Sequence, residues 1–476
     1  MGKLGKLFFR RGNENSMYLQ TNVLEEIKNR LNPCDDLVTR TFPELEIIIL
    51  YFDHLVGPHE LEQDVLQPFS QIQENEVMDL LERSQYQKAK DTQTIITGLL
   101  SGNAAIFYKE KYPYLVNLYI PKTRDITAAQ IETSIVGSRE AFVESVEMNL
   151  SCIRRRIQSE KLKVINLRVG NVTNTKMNLL YIEGITPDHY LSNVKAKINS
   201  VKVDGVHDLN MLMEYIDEHP FSLFPQYLTT ERPDVAASKL LEGKVLGLID
   251  GSPYAFSAPA TFWEHFQSPD DYNQRWVLGT ASRFLRYIAL LITLTLTAFY
   301  VSVTMFHYEM IPHDLLQSLI ESRAKVPFPP LYEALLMEFT VELLREAGAR
   351  LPTKIGQTIG IVGGIVIGTA SVQAGFTSNI LIVIVAISAM ASYVIPHITM
   401  SASIRVARFG LIFLAGILGN FGLVAGISLI VIQISRLTSL NSSYVIPVAP
   451  FSDWSDTFVR APIKMIKKKP SQTREK

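Results

Sequence analysis

Three stretches of this 476-residue chain carry no formal charge: residues 287–306, 355–404 and 409–435. Lipid offers no partner to a free backbone N–H or C=O, so a chain crosses it as a helix. Such a helix needs about 20 mostly apolar residues to span about 30 Å of hydrocarbon. The runs predict four spans, near 287–306, 355–375, 379–398 and 409–435, within an all-α polytopic membrane domain over 283–436. Residues 1–282 mix charged and apolar residues as a soluble protein does.

Charge and targeting signals bear on orientation. Lys and Arg number 46 against 47 Asp and Glu, for a net charge of −1, which does not suggest a nucleic-acid binder. The opening "MGKLGKLFFRRGN" is basic but no apolar signal-peptide core follows it. Lys6 stands where a myristoylation motif needs Ser or Thr. The N-terminal region is therefore expected on the cytoplasmic side. Arg275, Arg283 and Arg286 precede the first span, and the tail from Arg460 has seven Lys and Arg against one Glu. Positive flanks stay inside, so both ends inside requires an even number of spans, in agreement with four. Arg405 and Arg408 oppose this count, because four spans put them outside. A fifth crossing near 331–348 would bring them in but export the basic tail.

The soluble region alternates strand-like and helix-like stretches. "ELEIIILYF" (44–52) reads as a strand, and "AAIFYK" with "YLVNLYIP" as a hairpin. "KVINLRV", "MNLLYIEGI", "KVLGLID" and "YAFSAPATF" form a second strand set, with helices at "HYLSNVKAKINS" and "LNMLMEYIDEH". The expected organisation is an N-terminal extension (1–39), an α/β subdomain (40–125), a connecting helical segment (126–159), a second α/β subdomain (160–282), the membrane domain and a basic cytoplasmic tail (437–476). The fold class is thus α+β: two α/β subdomains followed by an all-α membrane domain.

No sequence signature of catalysis is found: there is no phosphate loop, H-E-x-x-H or G-x-S-x-G. His54 and His59 lie near Asp53 and Glu60, without a spacing that defines metal geometry. Cys34 and Cys152 lack metal spacing and read as inert thiols. No catalytic residue, metal or cofactor is expected.

The second of the uncharged stretches opens with "IGQTIGIVGGIVIGTASVQAG" (355–375). Gly356, Gly360, Gly364 and Gly368 recur every four residues and share one helix face, which suits close helix packing in lipid. Roughly opposite lie Thr358, Val362, Ile365, Thr369 and Gln373, polar at both ends and apolar between. In a ring of copies that face lines a pore with an apolar constriction; in a single chain it meets lipid or another helix, with each Thr bonded back to its own helix. Just before it, residues 329–348 read as an amphipathic helix with Glu338, Glu342, Arg345 and Glu346 in one stripe. That stripe suits either the membrane interface or a ring of charge at a pore mouth.

"VPFPPLYEALLMEFTVELLREAGARLP" followed directly by "IGQTIGIVGGIVIGTASVQAG" closely resembles the A subunits of GerA-type spore germinant receptors. So do "REAFVESVEMNLSCIRRRI" (139–157), "FPQYLTTERPDVAASKLLEGKVLGLIDGSPYAF" (224–256) and "QSPDDYNQRW" (267–276). One departure is "GSRE" (137–140), where the family usually has Pro after Gly. The resemblance implies a multi-pass protein of the spore inner membrane with cytoplasmic termini. It implies a homo-oligomer that works with a transporter-like B subunit and a lipoprotein C subunit, and conducts ions when the B subunit binds nutrient. A non-conducting scaffold or spore-membrane accessory protein of the same architecture is the first alternative. A secondary transporter is the second, disfavoured by the few spans and the absence of an inverted repeat.

Overall fold

The computed structural model describes residues 23–89, 91–109, 113–120, 132, 136–351, 353–445, 454–465 and 473, with side chains in the helix 353–373 described from 363 onward. The chain divides into two compact units. The first holds residues up to Asp217, Tyr227–Pro259 and the last few residues; the second holds Glu218–Gln226 and Ala260–Lys468.

In the first unit, β1 (Leu37–Phe42), β2 (Ile47–Phe52), β3 (Tyr86–Lys88), β4 (Asn103–Tyr108) and β5 (Tyr114–Asn117) form an antiparallel sheet in the order β1-β2-β4-β5-β3. The uninterrupted run Ile47–Phe52 is a strand buried on both faces. Ile47, Ile49 and Tyr51 pack with Val65, Phe69 and Leu81. Leu50 and Phe52 pack on the other side with Ile95 and Leu99 of α1 (Thr92–Leu100). Two-sided burial removes the alternation a half-exposed strand would show.

The second sheet comprises β6 (Leu162–Val169), β7 (Thr175–Ile182), β8 (Leu228–Thr230), β9 (Val245–Ile249) and β10 (Ala255–Ala258), in the order β6-β7-β9-β10-β8. All its pairings are antiparallel. One face is covered by α2 (Val146–Arg156) and α5 (Pro233–Leu241) through Leu150, Ile153, Ala236 and Leu240. Between them in sequence come α3 (Asp188–Ser200) and α4 (Leu209–Ile216).

The second unit is helical: α6 (Trp276–Phe306), α7 (His313–Arg323), α8 (Pro330–Arg350), α9 (Thr353–Gln373), α10 (Asn379–Val394) and α11 (Ile398–Arg436). Among the described residues, α6 and α11 are long and apolar enough to cross a membrane, and α10 is a shorter apolar helix. Arg283 and Arg286, read as positive residues preceding the first span, are buried and paired with Asp271 at 3.2 and 2.8 Å.

The span expected over 409–435 is not one straight helix. Gly419 sits at φ 61°, ψ −143° inside α11, a conformation open almost only to glycine. Beyond it the chain reverses. A Cβ on Gly422 would meet the Leu414 carbonyl oxygen at 2.1 Å, and one on Gly426 would meet Leu411 Cδ2 at 2.4 Å. In a straight helix those pairs would lie about 12 and 22 Å apart. Residues 398–418 and 420–436 are therefore antiparallel arms of about 31 and 25 Å, packed closely because glycine faces the facing arm. The tip lies beside the C-terminus of α6, where Gly419 approaches His307 and Phe306.

Gly422→Ala should destabilise the hairpin by about 1–3 kcal/mol, since the added methyl meets backbone. Gly410→Ala, with open space around it, is the control. Thermal unfolding of the purified variants measures this. Equal stability of the two variants would contradict the antiparallel arms.

Candidate functional site

The second unit buries a chain of charged groups that joins four helices. Arg408, on the first arm of α11, and Glu338 on α8 are both wholly inaccessible to water and pair at 2.7 Å. Thr297 of α6 donates to Glu338 at 2.7 Å. Arg408 also donates to Ser388 of α10 at 2.8 Å. Glu342, one turn along α8, stands 3.1 Å from Arg405, 3.4 Å from Arg408 and 3.5 Å from Arg345. Arg345 donates to Ser392 at 3.0 Å and lies 4.7 Å from the Tyr393 ring centre.

Local sequence explains the alignment. Glu338 and Glu342 are four apart on α8, and Arg405 and Arg408 three apart on α11, so each pair shares a helix face. Two acids on one helix then meet two guanidiniums on another. Buried charge is tolerated only when paired and hydrogen-bonded, and here every carboxylate has a guanidinium beside it.

A second buried acid, Glu333, holds the start of α10. Its carboxylate accepts the Ser378 N–H at 2.5 Å and the Thr377 hydroxyl at 3.1 Å. Ser378 itself caps α10 by accepting from the Leu381 N–H at 3.3 Å. A carboxylate suits this position because the helix start exposes unpaired N–H groups.

The first unit has its own buried polar groups. Asp36 takes two hydrogen bonds from Arg154 at 3.0 and 2.9 Å, and His54 lies 3.7 Å away. Burial pushes the Asp36 carboxyl up, against the pull of Arg154. A cleft of about 390 Å³ opens beside them, lined in part by Asp53, Asn166 and Lys176. Glu132 accepts from Thr230 at 2.6 Å, and burial pushes its carboxyl from 4.5 up to about 7. Cys34 and Cys152 form no disulfide, and burial pushes both thiols up, away from reactive thiolate. Among the described residues no group of three or more His, Cys, Asp or Glu is arranged for a metal.

The model of the Bacillus/Clostridium GerA spore germination protein family matches residues 25–472. The chain belongs to the GerA spore germination family. It is 40% identical over 462 residues to spore germination protein GerQA of Bacillus cereus, covering 95% of this chain and 93% of the relative. It is 38% identical over 390 residues to spore germination protein A1 of Bacillus subtilis, covering 81% and 80%. It is also 36% identical over 452 residues to the uncharacterized membrane protein YfkQ of Bacillus subtilis, covering 92% and 88%.

Within this GerA chain the residues singled out from sequence fall in different settings. Gly356, Thr358, Gly360 and Val362 have side-chain positions outside the described residues. Gly364 and Gly368 have open space where a Cβ would be, whereas the neighbouring Gly363 approaches Leu344 of α8 at 3.2 Å. Ile365 is 62% exposed. Thr369 is exposed and donates back to the Ile365 carbonyl at 2.8 Å, and Gln373 is exposed. In the acidic stripe, Glu338 is buried against Thr297 of α6 and Arg408 of α11, Glu342 and Arg345 are partly covered, and Glu346 pairs with Arg350 in the open. Arg408 and Arg405 were not read as partners of that stripe. The complementary spacing of the two pairs was the available signal.

Arg408→Met should leave Glu338 buried and unpaired, a loss of about 3–5 kcal/mol. Adding Glu338→Leu should recover part of it, read by thermal unfolding; strictly additive losses would contradict a direct pair. For Glu132, the folded state holds a proton that the unfolded chain has released above pH 4.5. Its stabilisation is complete below pH 4.5 and fades as the pH rises to about 7, at about 1.4 kcal/mol per unit. The protection of the Leu228–Thr230 amides, taken relative to the free-peptide exchange rate at each pH, should fall across that window, and Glu132→Gln should abolish that fall.

Proposed function

We propose that this chain is the A-type subunit of a nutrient-responsive spore germination receptor, a homo-oligomer in the spore inner membrane whose α9 helices line an ion path. The observation that carries this reading is the setting of α9. It is uncharged from Ile355 onward, it packs on α8, and its Ile365–Thr369 face is left open in the single chain. An apolar face with polar ends, ringed by copies of itself, makes a constriction that closes by dewetting.

The membrane part is proposed as six crossings: α6, α8, α9, α10 and the two arms of α11. Side-chain pairs support the levels. The tip at Gly419 is beside the end of α6. Glu333, at the start of α8, meets the start of α10, and Arg345, late in α8, meets its end. Six is even, so the basic tail stays on the cytoplasmic face with the start of α6. The same count puts the Arg405 end of α11 on that side together with the tail, a combination that neither four nor five crossings allows. Membrane lipid, a transporter-like B subunit that binds the nutrient and a lipoprotein C subunit are the proposed partners, and no nucleic acid.

In this mechanism α8 is the fixed element and α9 the moving wall. Glu338 and Glu342 clamp α8 to α6 and α11, while the open Gly364 and Gly368 let α9 slide against a neighbouring copy without desolvating any charge. The buried pair also favours a second reading, ion-coupled transport, because intramembrane ionisable groups mark ion paths. Substrate-dependent counterflow in liposomes is required by transport and not by a channel.

Val362→Ala and Ile365→Ala should widen the constriction and make the closed state leak. Spores carrying either at normal protein level should germinate without nutrient, and the protein in liposomes should raise ion flux several-fold. Normal dormancy together with unchanged flux would remove this face from the conduction path.

A further inference from the structure

We propose that Arg345, Arg405 and Tyr393 form a binding site for the phosphate of an anionic molecule at the end of α8, between α10 and the first arm of α11.

The first ground is charge. Among the described residues, Arg345, Arg405 and Arg408 meet two carboxylates, Glu338 and Glu342. Arginine stays charged in proteins, so the cluster keeps one uncompensated positive charge in a poorly solvated place. The second ground is donors. The Nε atoms of Arg345 and Arg408 are buried and have no hydrogen-bond acceptor. Arg405 Nε and Arg345 Nη1 face Glu342 at 3.1 and 3.5 Å, but outside hydrogen-bonding geometry. Buried donors of this kind are normally satisfied.

The third ground is access. The side chains of Arg345 and Arg405 are 15% and 16% exposed, so the cluster has an opening, whereas Arg408 is sealed behind them. Tyr393 beside the opening is 69% exposed, and Met390, Val394, Ile398 and Val406 expose apolar surface on the same helix ends.

These features select the ligand. On the two residues that reach the opening, Arg345 and Arg405, every unpaired atom is an N–H donor, so the ligand is an acceptor and an anion; the one unpaired acceptor of the cluster, Glu338 Oε2, is sealed behind them, 2.7 Å from Arg408. Guanidinium forks match phosphate oxygens two at a time, and a phosphodiester carries the single negative charge that the cluster lacks. An exposed tyrosine and apolar flanks fit the head-group level of a bilayer, where basic pockets between helices hold anionic lipid. The lipid source rests on the membrane reading proposed above; the phosphate chemistry does not.

The test uses the purified full-length protein. Its thermal stability is measured in nanodiscs of phosphatidylcholine with and without phosphatidylglycerol, and in detergent with and without inorganic phosphate. The expected result is an upward shift with phosphatidylglycerol, and about one anionic lipid per chain retained in native mass spectra. Both should be lost in Arg345→Gln and Arg405→Gln, kept in part in Arg345→Lys and kept in full in Arg350→Gln, which alters an exposed arginine. If Arg405→Gln does not fold, the Arg345 variants decide alone. A shift with inorganic phosphate matching that with lipid supports the site and assigns it to a soluble phosphate. Equal shifts in Arg345→Gln and the unaltered protein, or no shift with either ligand, overturns the proposal. Carbonate extraction runs alongside: release of the protein from membranes would sink the membrane reading while leaving the phosphate result standing.

Discussion

Arg408 has no contact with water, and its charge is held by two carboxylates on a helix some seventy residues away in sequence. That pairing fixes the second unit. It sets the rotation of α8 about its own axis, because Glu338 and Glu342 must both face α11. Ser388 and Thr297 at the same level then bring α10 and α6 into one network. Apolar faces slide over one another with little change in energy, since each leucine finds an equivalent neighbour. Paired charges in a dry interior do not, because a shift of one turn would leave a buried ion unpaired. The charges supply register where the apolar surfaces supply only cohesion.

The reversal at Gly419 follows from a different constraint. Two arms of a helix can turn back on each other closely only where side chains are absent from the contact. Gly416, Gly419, Gly422 and Gly426 meet that need in turn: Gly416 lies against Leu331 of α8, Gly419 takes the backbone angle no other residue accepts readily, and Gly422 and Gly426 face the first arm. The turn is held at its tip by Asn420, which accepts from Ser302 of α6 at 2.7 Å.

Much of the N-terminal unit was legible because burial there is local. The run at 44–52 announced a strand, and β2 occupies Ile47–Phe52 with both faces covered. Hydrophobic run length also located the helices of the second unit. It failed at Gly419, because hydropathy sums the residues on each side of a turn and cannot see direction. The stripe on α8 was equally visible, but a helical wheel shows which residues share a face and not what the face meets. Glu338 looks the same on a wheel whether it faces water, a pore or Arg408. Only the matching spacing of Arg405 and Arg408 carried that information, and it becomes evidence once the two helices are known to touch.

The network has an asymmetry with consequences for movement. Along α8, Glu333 binds the start of α10, Glu338 and Glu342 bind the first arm of α11, and Arg345 binds Ser392 near the end of α10. Polar anchors thus recur along nearly its whole length. Next to it, α9 from Ile355 onward has no charged residue with which to form one. Moving α8 separates buried ions, each step carrying a desolvation penalty. Moving α9 over α8 exchanges one apolar or glycine contact for another, as at Gly363 against Leu344. Two adjacent helices of equal length therefore differ sharply in stiffness, and the difference is set by where charge is placed. Such a division keeps the frame of the bundle rigid while leaving one helix free to shift.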